Sequence, residues 1–150
     1  MRKFSILGVV IGSITDIVAT SVFQIPLLAY ITIRLTQQGI PAAQINGALL
    51  TTLHNNPLLY ATSMLIGCLG SILGGYIAAR IAKHDEVLNG ALASILCVGS
   101  GLYALGSGHS SAPIWQELLG IPFSIALSAL GGYLRLRQVR AQHQKLSRNA

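Results

Sequence analysis

Residues 4–33 carry a single charged side chain, Asp16, in a run otherwise made of apolar, small and uncharged polar residues. Such a run cannot coat the surface of a domain in water, and about 20 apolar residues already cross a hydrocarbon core roughly 30 Å thick. The rest of the chain repeats the pattern. Only 9% of the 150 residues are charged, against about 25% in an ordinary soluble domain, and the mean hydropathy is +0.62. Charges gather in short stretches between long apolar ones. The expectation is an all-α polytopic membrane protein, a four-transmembrane-helix bundle over residues 1–134 with spans near 5–33, 57–79, 87–106 and 114–134. A short amphipathic outer connection joins the first two spans, and residues 135–150 form a basic cytoplasmic tail.

As a helix, the 29 residues of the first span reach about 43 Å. They must tilt, bend at Pro26 or project into the interface. Arg2 and Lys3 before an apolar run also begin a secretory signal, but a signal's apolar region covers only about 7–15 residues and ends at a small-residue cleavage site. This run continues to Ile33, so a retained span is expected.

Charge sets the orientation. With the N-terminus inside, the inner segments hold Arg2, Lys3, Arg80, Lys83, Arg135, Arg137, Arg140, Lys145 and Arg148, and the outer segments hold only Arg34. Nine against one is a strong positive-inside bias, which places both termini in the cytoplasm. Tyr30, Tyr60, Tyr103 and Trp115 mark one edge of the spans, and Phe4, Tyr76 and Tyr133 the other.

Between the first two spans, residues 37–56 contain no acidic or basic side chain apart from His54. Pro41 suits a first helical turn. Ala42, Ile45, Leu49 and Leu53 recur at helical spacing, which predicts a short amphipathic helix in the outer interface. Gly47, costly inside a helix, leaves an ordered loop as the alternative. In the connection between spans two and three, Asp85 and Glu86 complement the start of a helix, while Arg80 and Lys83 complement the end of the preceding one.

Helices in lipid pack through small residues that let backbones approach. Gly8 and Gly12 share a face, as do Gly70, Gly74 and Ala78, beside Ser71, Gly75 and Ala79. Gly90 and Ser94 open the third span, and Ser124, Ser128 and Gly132 line the fourth. These registers favour a compact bundle with spare small-residue faces for self-association. Arg34 at the end of the first span and Glu117 at the start of the fourth are expected to form an outer ion pair.

Signatures of chemistry are sparse. No Ser/His/Asp arrangement, phosphate-cradling loop or dinucleotide fingerprint occurs, and the "GSGHSS" of residues 106–111 joins two spans instead of following a strand. Cys68 and Cys97 fall mid-span, where a thiol is ordinarily a small packing residue. His54, His109 and Glu117 share the outer side without a ligand spacing motif. No enzymatic activity, metal or cofactor is expected. The net charge of +6 points to lipid and not nucleic acid, because Arg135, Arg137, Arg140, Lys145 and Arg148 directly follow the last span.

Asp16 remains to be explained. It lies about 17 Å along its helix, near the middle of the core. A charge there costs about 2.5–3.5 kcal/mol even on the lenient insertion scale. Every Lys and Arg sits at or beyond a span's end, so desolvation favours the neutral, hydrogen-bonding acid. Ser13, Asp16, Thr20 and Gln24 form one polar stripe at helical spacing, which turns Asp16 inward, toward serines such as Ser63, Ser100 or Ser128. Alternatively it is a proton or cation site in a hydrated cavity.

Two four-span families bear comparison. Membrane-bound glutathione and eicosanoid enzymes have similar size but carry a Glu/Arg/Asn constellation in their second span that residues 57–79 lack. Small multidrug exporters place a carboxylate midway along their first span, and Asp16 is similar in that position alone. Those exporters are shorter, without the long outer connection, and their flanking motifs are absent here. In size and character the chain is similar to many small proteins of the bacterial cytoplasmic (inner) membrane. The expected function is therefore that of a structural or interaction subunit, a homo-oligomer or accessory component partnered by lipid and by itself or another membrane protein. A small transporter or proton-coupled carrier using Asp16 is the alternative.

Overall fold

A computed structural model of the chain describes residues 5–107 and 114–148, and among these it excludes the side chains of residues 104, 105, 114–117, 143 and 148. The described residues form six α-helices and one 3-10 turn, without a strand. The helices are α1 (Ile6–Gln37), α2 (Ile45–Asn55), α3 (Pro57–Ala82), α4 (Glu86–Leu92), α5 (Ile95–Gly106) and α6 (Ile114–Arg148). Four stretches are long and apolar enough to cross a membrane: α1, α3, residues 86–103 taken together, and residues 118–147 within α6.

α1 runs unbroken through Pro26 for 32 residues, about 48 Å. Ser5 caps its start by accepting the Gly8 N–H at 3.2 Å. Its end is a Schellman motif: Gly39, at φ +79°, lets the Ile40 N–H reach Leu35 O at 3.2 Å and its own N–H reach Thr36 O at 3.0 Å. The first span thus ends four residues beyond the expected boundary, and a left-handed glycine ends it. Pro41 then precedes a 3-10 turn, Ala42–Gln44, instead of entering the helix. The connecting helix exists as α2, and Gly47 stands in its first turn with open space where a Cβ would lie. At Asn56 the backbone turns extended, and its side chain accepts from the Leu58 and Leu59 N–H groups at 3.1 and 3.3 Å, with Pro57 in the first turn.

Two differences from the sequence reading matter for the site. The third span is two helices, broken by a turn at Ala93–Ser94, both buried. The basic segment 135–148 is no separate tail but the last turns of α6, a helix of 35 residues. Tyr76 Oη on α3 donates to Gln138 Oε1 at 2.7 Å and ties this extension to the bundle.

α1 packs most extensively on α3, and α6 packs on α3 and α4. The contacts run antiparallel between α1 and α3, since Gly8 faces Ala78 and Asp16 faces Gly70 and Gly74. They run parallel between α1 and the third span, since Ser5 meets Asn89 and Asp16 meets Cys97. The topology is up-down-up-down. Arg80, Lys83 and the basic part of α6 lie toward the Ser5 end of the bundle, and Arg34 lies at the opposite end.

The interior inverts that of a soluble protein. Its buried apolar side chains are mostly Ala78, Ala79, Ala82 and Ala93, joined by Ile31 and Leu35, while Ser13, Asp16, Ser71, Asn89, Ser94 and Ser128 are buried among them. Large apolar side chains face outward along the helices, from Ile6 and Leu7 to Leu65, Leu69 and Phe123. Such a surface exceeds what a monomer in water tolerates, but it matches a hydrocarbon solvent.

Candidate functional site

Close backbone approach builds the seam where Asp16 lies. A Cβ on Gly12 would stand 2.7 Å from Gly74 O and 2.6 Å from the Ala78 Cβ, and one on Gly8 would stand 2.8 Å from Ala78 O. Gly70 faces Asp16 and Thr20 so closely that a Cβ there would collide with Thr20 Oγ1. The other registers close the remaining interfaces: Gly75 lies against Ser128, Gly131 against Ile72 and Tyr76, and Gly132 against Glu86, Val87 and Gly90. The small residues expected to pack helices together, Gly8, Gly12, Gly70, Gly74, Ala78, Ser128 and Gly132, meet helices of their own chain. Ser124, the remaining member of that set, has its Oγ buried without a hydrogen-bond partner among the described residues.

The polar stripe of α1 faces this seam along its length. Ser13, fully buried, brings its Oγ within 2.6 Å of Ala93 O and 2.9 Å of Val9 O. Its single proton is best placed on the nearer carbonyl, the one at the break in the third span. Asp16 is 2% exposed. Its Oδ2 accepts from Ser71 Oγ and Cys97 Sγ, both at 3.2 Å, and its Oδ1 lies 3.4 Å from Thr20 Oγ1 and from Ser71 Oγ. Gln24 Nε2 donates to Ser63 Oγ at 2.7 Å. The stripe therefore draws donors or acceptors from α3 and from the third span.

Of the serines named as Asp16 partners, none is one. Ser63 takes Gln24, Ser100 donates to Cys97 O in its own helix at 2.8 Å, and Ser128 donates to Ser71 O at 3.2 Å. The partner is Ser71, which stands one residue after Gly70 on α3 and moves with the close helix pair. Cys97, read from sequence as packing, is the second cross-helix donor. Both cysteines are free thiols.

Asn89 escaped the sequence reading altogether. Fully buried, it accepts the Ser5 N–H on Oδ1 at 2.7 Å, and its Nδ2 donates to His84 O at 2.9 Å and Asp85 O at 3.1 Å. One amide thus ties the start of α1 to the tight link after α3. That link holds Lys83 at φ 59° and Asp85 at φ 42°, a conformation costly for residues with a Cβ. Asp85 stands at the N-cap of α4 without a capping hydrogen bond from its side chain, Glu86 begins the helix, and Arg80 lies in the last turn of α3.

Chemically, Asp16 is a carboxyl group held by two hydroxyls and a thiol, none of which carries a positive charge. The arrangement holds a carboxyl in place. It also holds a group able to exchange a proton.

Among the described residues no three His, Cys, Asp or Glu side chains cluster to bind a metal. His54 Nδ1 lies 2.9 Å from Leu50 O, and its ring is 5.5 Å from that of Tyr60. Arg34 Nε donates to Tyr30 Oη at 3.3 Å, with the guanidinium 5.5 Å from the ring centre. The Glu117 side chain and His109 lie outside the described residues, and with them the expected Arg34–Glu117 pair. Of the basic set on α6, Arg135, Arg137, Arg140 and Lys145 are described, and the Arg148 side chain is not. Compared with protein families, curated proteins and solved structures, the chain matches none.

Proposed function

We propose that this chain is a non-enzymatic integral membrane protein of structural or interaction type, working as a homo-oligomer or as an accessory subunit of a membrane assembly. It resides in a bacterial cytoplasmic membrane with both termini inside. The observation that supports this reading is the state of Asp16: both carboxyl oxygens are engaged by donors on α1, α3 and α5 of the same chain. Interhelical polar contacts are a common adhesive in lipid. With the small-residue seams spent inside the chain, the association surface is the outward apolar one, shared with lipid.

A second reading, a small proton-coupled carrier, draws on a different observation. Asp16 sits beside the break at Ala93–Ser94, and carriers place their sites where a spanning helix is discontinuous. Asp16→Asn separates the two. It keeps size and one acceptor oxygen, and its amide can donate to the Ser71 or Thr20 hydroxyl in place of the second, but it removes titration, so the structural reading expects unchanged assembly and unchanged proton flux in proteoliposomes. Normal assembly with lost pH-dependent flux establishes the carrier instead. Purification in mild detergent, with identification of co-purifying membrane proteins, addresses the partner.

A further inference from the structure

A concave site lies at the Arg34 end of the bundle, away from Asp16. α1, α2 and the start of α3 enclose a cavity of about 570 Å³, within the range of small-ligand pockets. Its floor is apolar: Ile31 and Leu35 are 1% and 4% exposed, and Leu59 stands beside them. Its rim carries Arg34 and the amides of Gln38 and Asn56, and no acidic residue lines it. Tyr30 orients the cation, because its Oη accepts from Arg34 Nε while its ring lies under the guanidinium. The two terminal nitrogens of that fork are the ones that suit a bidentate oxyanion. Asn56 adds polarity of the same sign. Its Oδ1 is committed to the Leu58 and Leu59 N–H groups, so Nδ2 is the atom left to donate.

An oriented cation and an amide donor above an apolar floor match a molecule with an anionic head and a hydrocarbon body. Tyr30 and Tyr60 place this level at the water–hydrocarbon boundary, where such molecules are concentrated. We propose that the cavity is a binding site for an anionic phospholipid, its phosphate on Arg34 and Asn56 and an acyl chain along Leu58 and Leu59, over the buried Ile31 and Leu35. This rests on the membrane reading above.

The test uses the full chain in nanodiscs of phosphatidylcholine with a minor fraction of phosphatidylglycerol, and reads retained lipid by native mass spectrometry. Both lipids carry the phosphate, so discrimination falls on the choline cation of phosphatidylcholine, which Arg34 repels in a site lined by no acidic residue. Wild type is expected to retain one phosphatidylglycerol with about tenfold preference over phosphatidylcholine, about 1.4 kcal/mol. Arg34→Gln, at an exposed position, is expected to abolish the preference with helicity unchanged, and Arg137→Gln, toward the other end of the bundle, to leave it intact. Leu59→Trp, which fills the floor, is expected to abolish retention with Arg34 in place. Equal retention by wild type and Arg34→Gln overturns the site, and so does competition by soluble glycerol phosphate, which would make it a headgroup site without a lipid. Failure of the wild-type chain to enter nanodiscs defeats the membrane reading itself, whereas entry without preference defeats only this site.

Discussion

Gly74→Ala tests the central seam most directly. The added Cβ would lie 2.7 Å from the Asp16 Cβ and from Gly12 O, and 3.2 Å from the Asp16 Cα. Carbon atoms at rest stand about 3.5–4.0 Å apart, so α1 must retreat from α3 by roughly 0.8 Å. Two of the three close atoms are backbone and the third, a Cβ, is directly attached to it, so no rotamer change relieves them. Overpacking of this kind costs about 1–3 kcal/mol. A retreat of that size also stretches the 3.2 Å contact from Ser71 to Asp16 out of hydrogen-bond range, adding about 0.6 kcal/mol by the average for interhelical bonds in lipid. Against this stands the helix preference of Ala over Gly, at most about 1 kcal/mol. Gly67→Ala isolates that gain, because a Cβ at Gly67 meets nothing within 4 Å. The assay is unfolding by sodium dodecyl sulfate in mixed micelles, followed by circular dichroism, for both variants and the wild type. Gly74→Ala is expected to lose about 1–3 kcal/mol and Gly67→Ala to lose nothing. If Gly74→Ala is as stable as Gly67→Ala, α1 and α3 do not pack in this register and the account of Asp16 falls with it.

Other perturbations give separate readings. Asn89→Leu strips the part-buried Ser5 N–H and His84 carbonyl of their partner, while the Asp85 carbonyl keeps the backbone N–H of residue 89, so the same unfolding titration should show a loss of about 1–3 kcal/mol in all; a neutral result would mean that water replaces the amide. Ser13→Ala should cost up to about 1.7 kcal/mol, the upper end of interhelical hydrogen bonds in membranes, and an unchanged midpoint would show that Ala93 O needs no donor. A reporter active only in the cytoplasm should work when fused after Lys83 or at Ala150 and stay silent within residues 37–55 or at Ser110; activity at Ser110 would overturn the four-span topology. A peptide of residues 135–148 should prefer anionic to neutral vesicles, with each basic residue near the surface contributing about 1 kcal/mol, and equal binding to both would leave the charge with topology alone.

How far the sequence could be read depended on the range of the interactions. The four apolar stretches, the inward stripe of Ser13, Asp16, Thr20 and Gln24, and the helix between the first two spans follow from local composition and periodicity. The break at Ala93–Ser94 does not. "GALASILC" holds neither a proline nor a glycine at the break itself, and Ser13, 80 positions away, supplies the donor for the carbonyl there. Asn89 was opaque for the same reason, since its partner Ser5 stands 84 positions away. The extension of α6 was legible in principle: after Gly132 no glycine or proline follows, and Arg, Gln, Leu, Ala and Lys are good helix formers. Charge drew attention to that segment as an address label, and its helical preference went unused.

The broken third span bears on the order in which the chain is made. Ser13 and Asp16, which serve Ala93 O and Cys97 Sγ, belong to a helix synthesised some eighty residues earlier, and the Ser71 beside them belongs to α3, which also precedes the third span. When α4 and α5 leave the ribosome, the groups that complete them are already in place. Gly90 and Glu86, however, rest against Gly132, which has yet to be translated. The third span is thus half furnished on arrival and must wait with one flank open. In that interval, between synthesis of α5 and arrival of α6, the flank is uncovered, and a chain truncated before α6 is expected to be a substrate for proteolysis, not a smaller version of the fold.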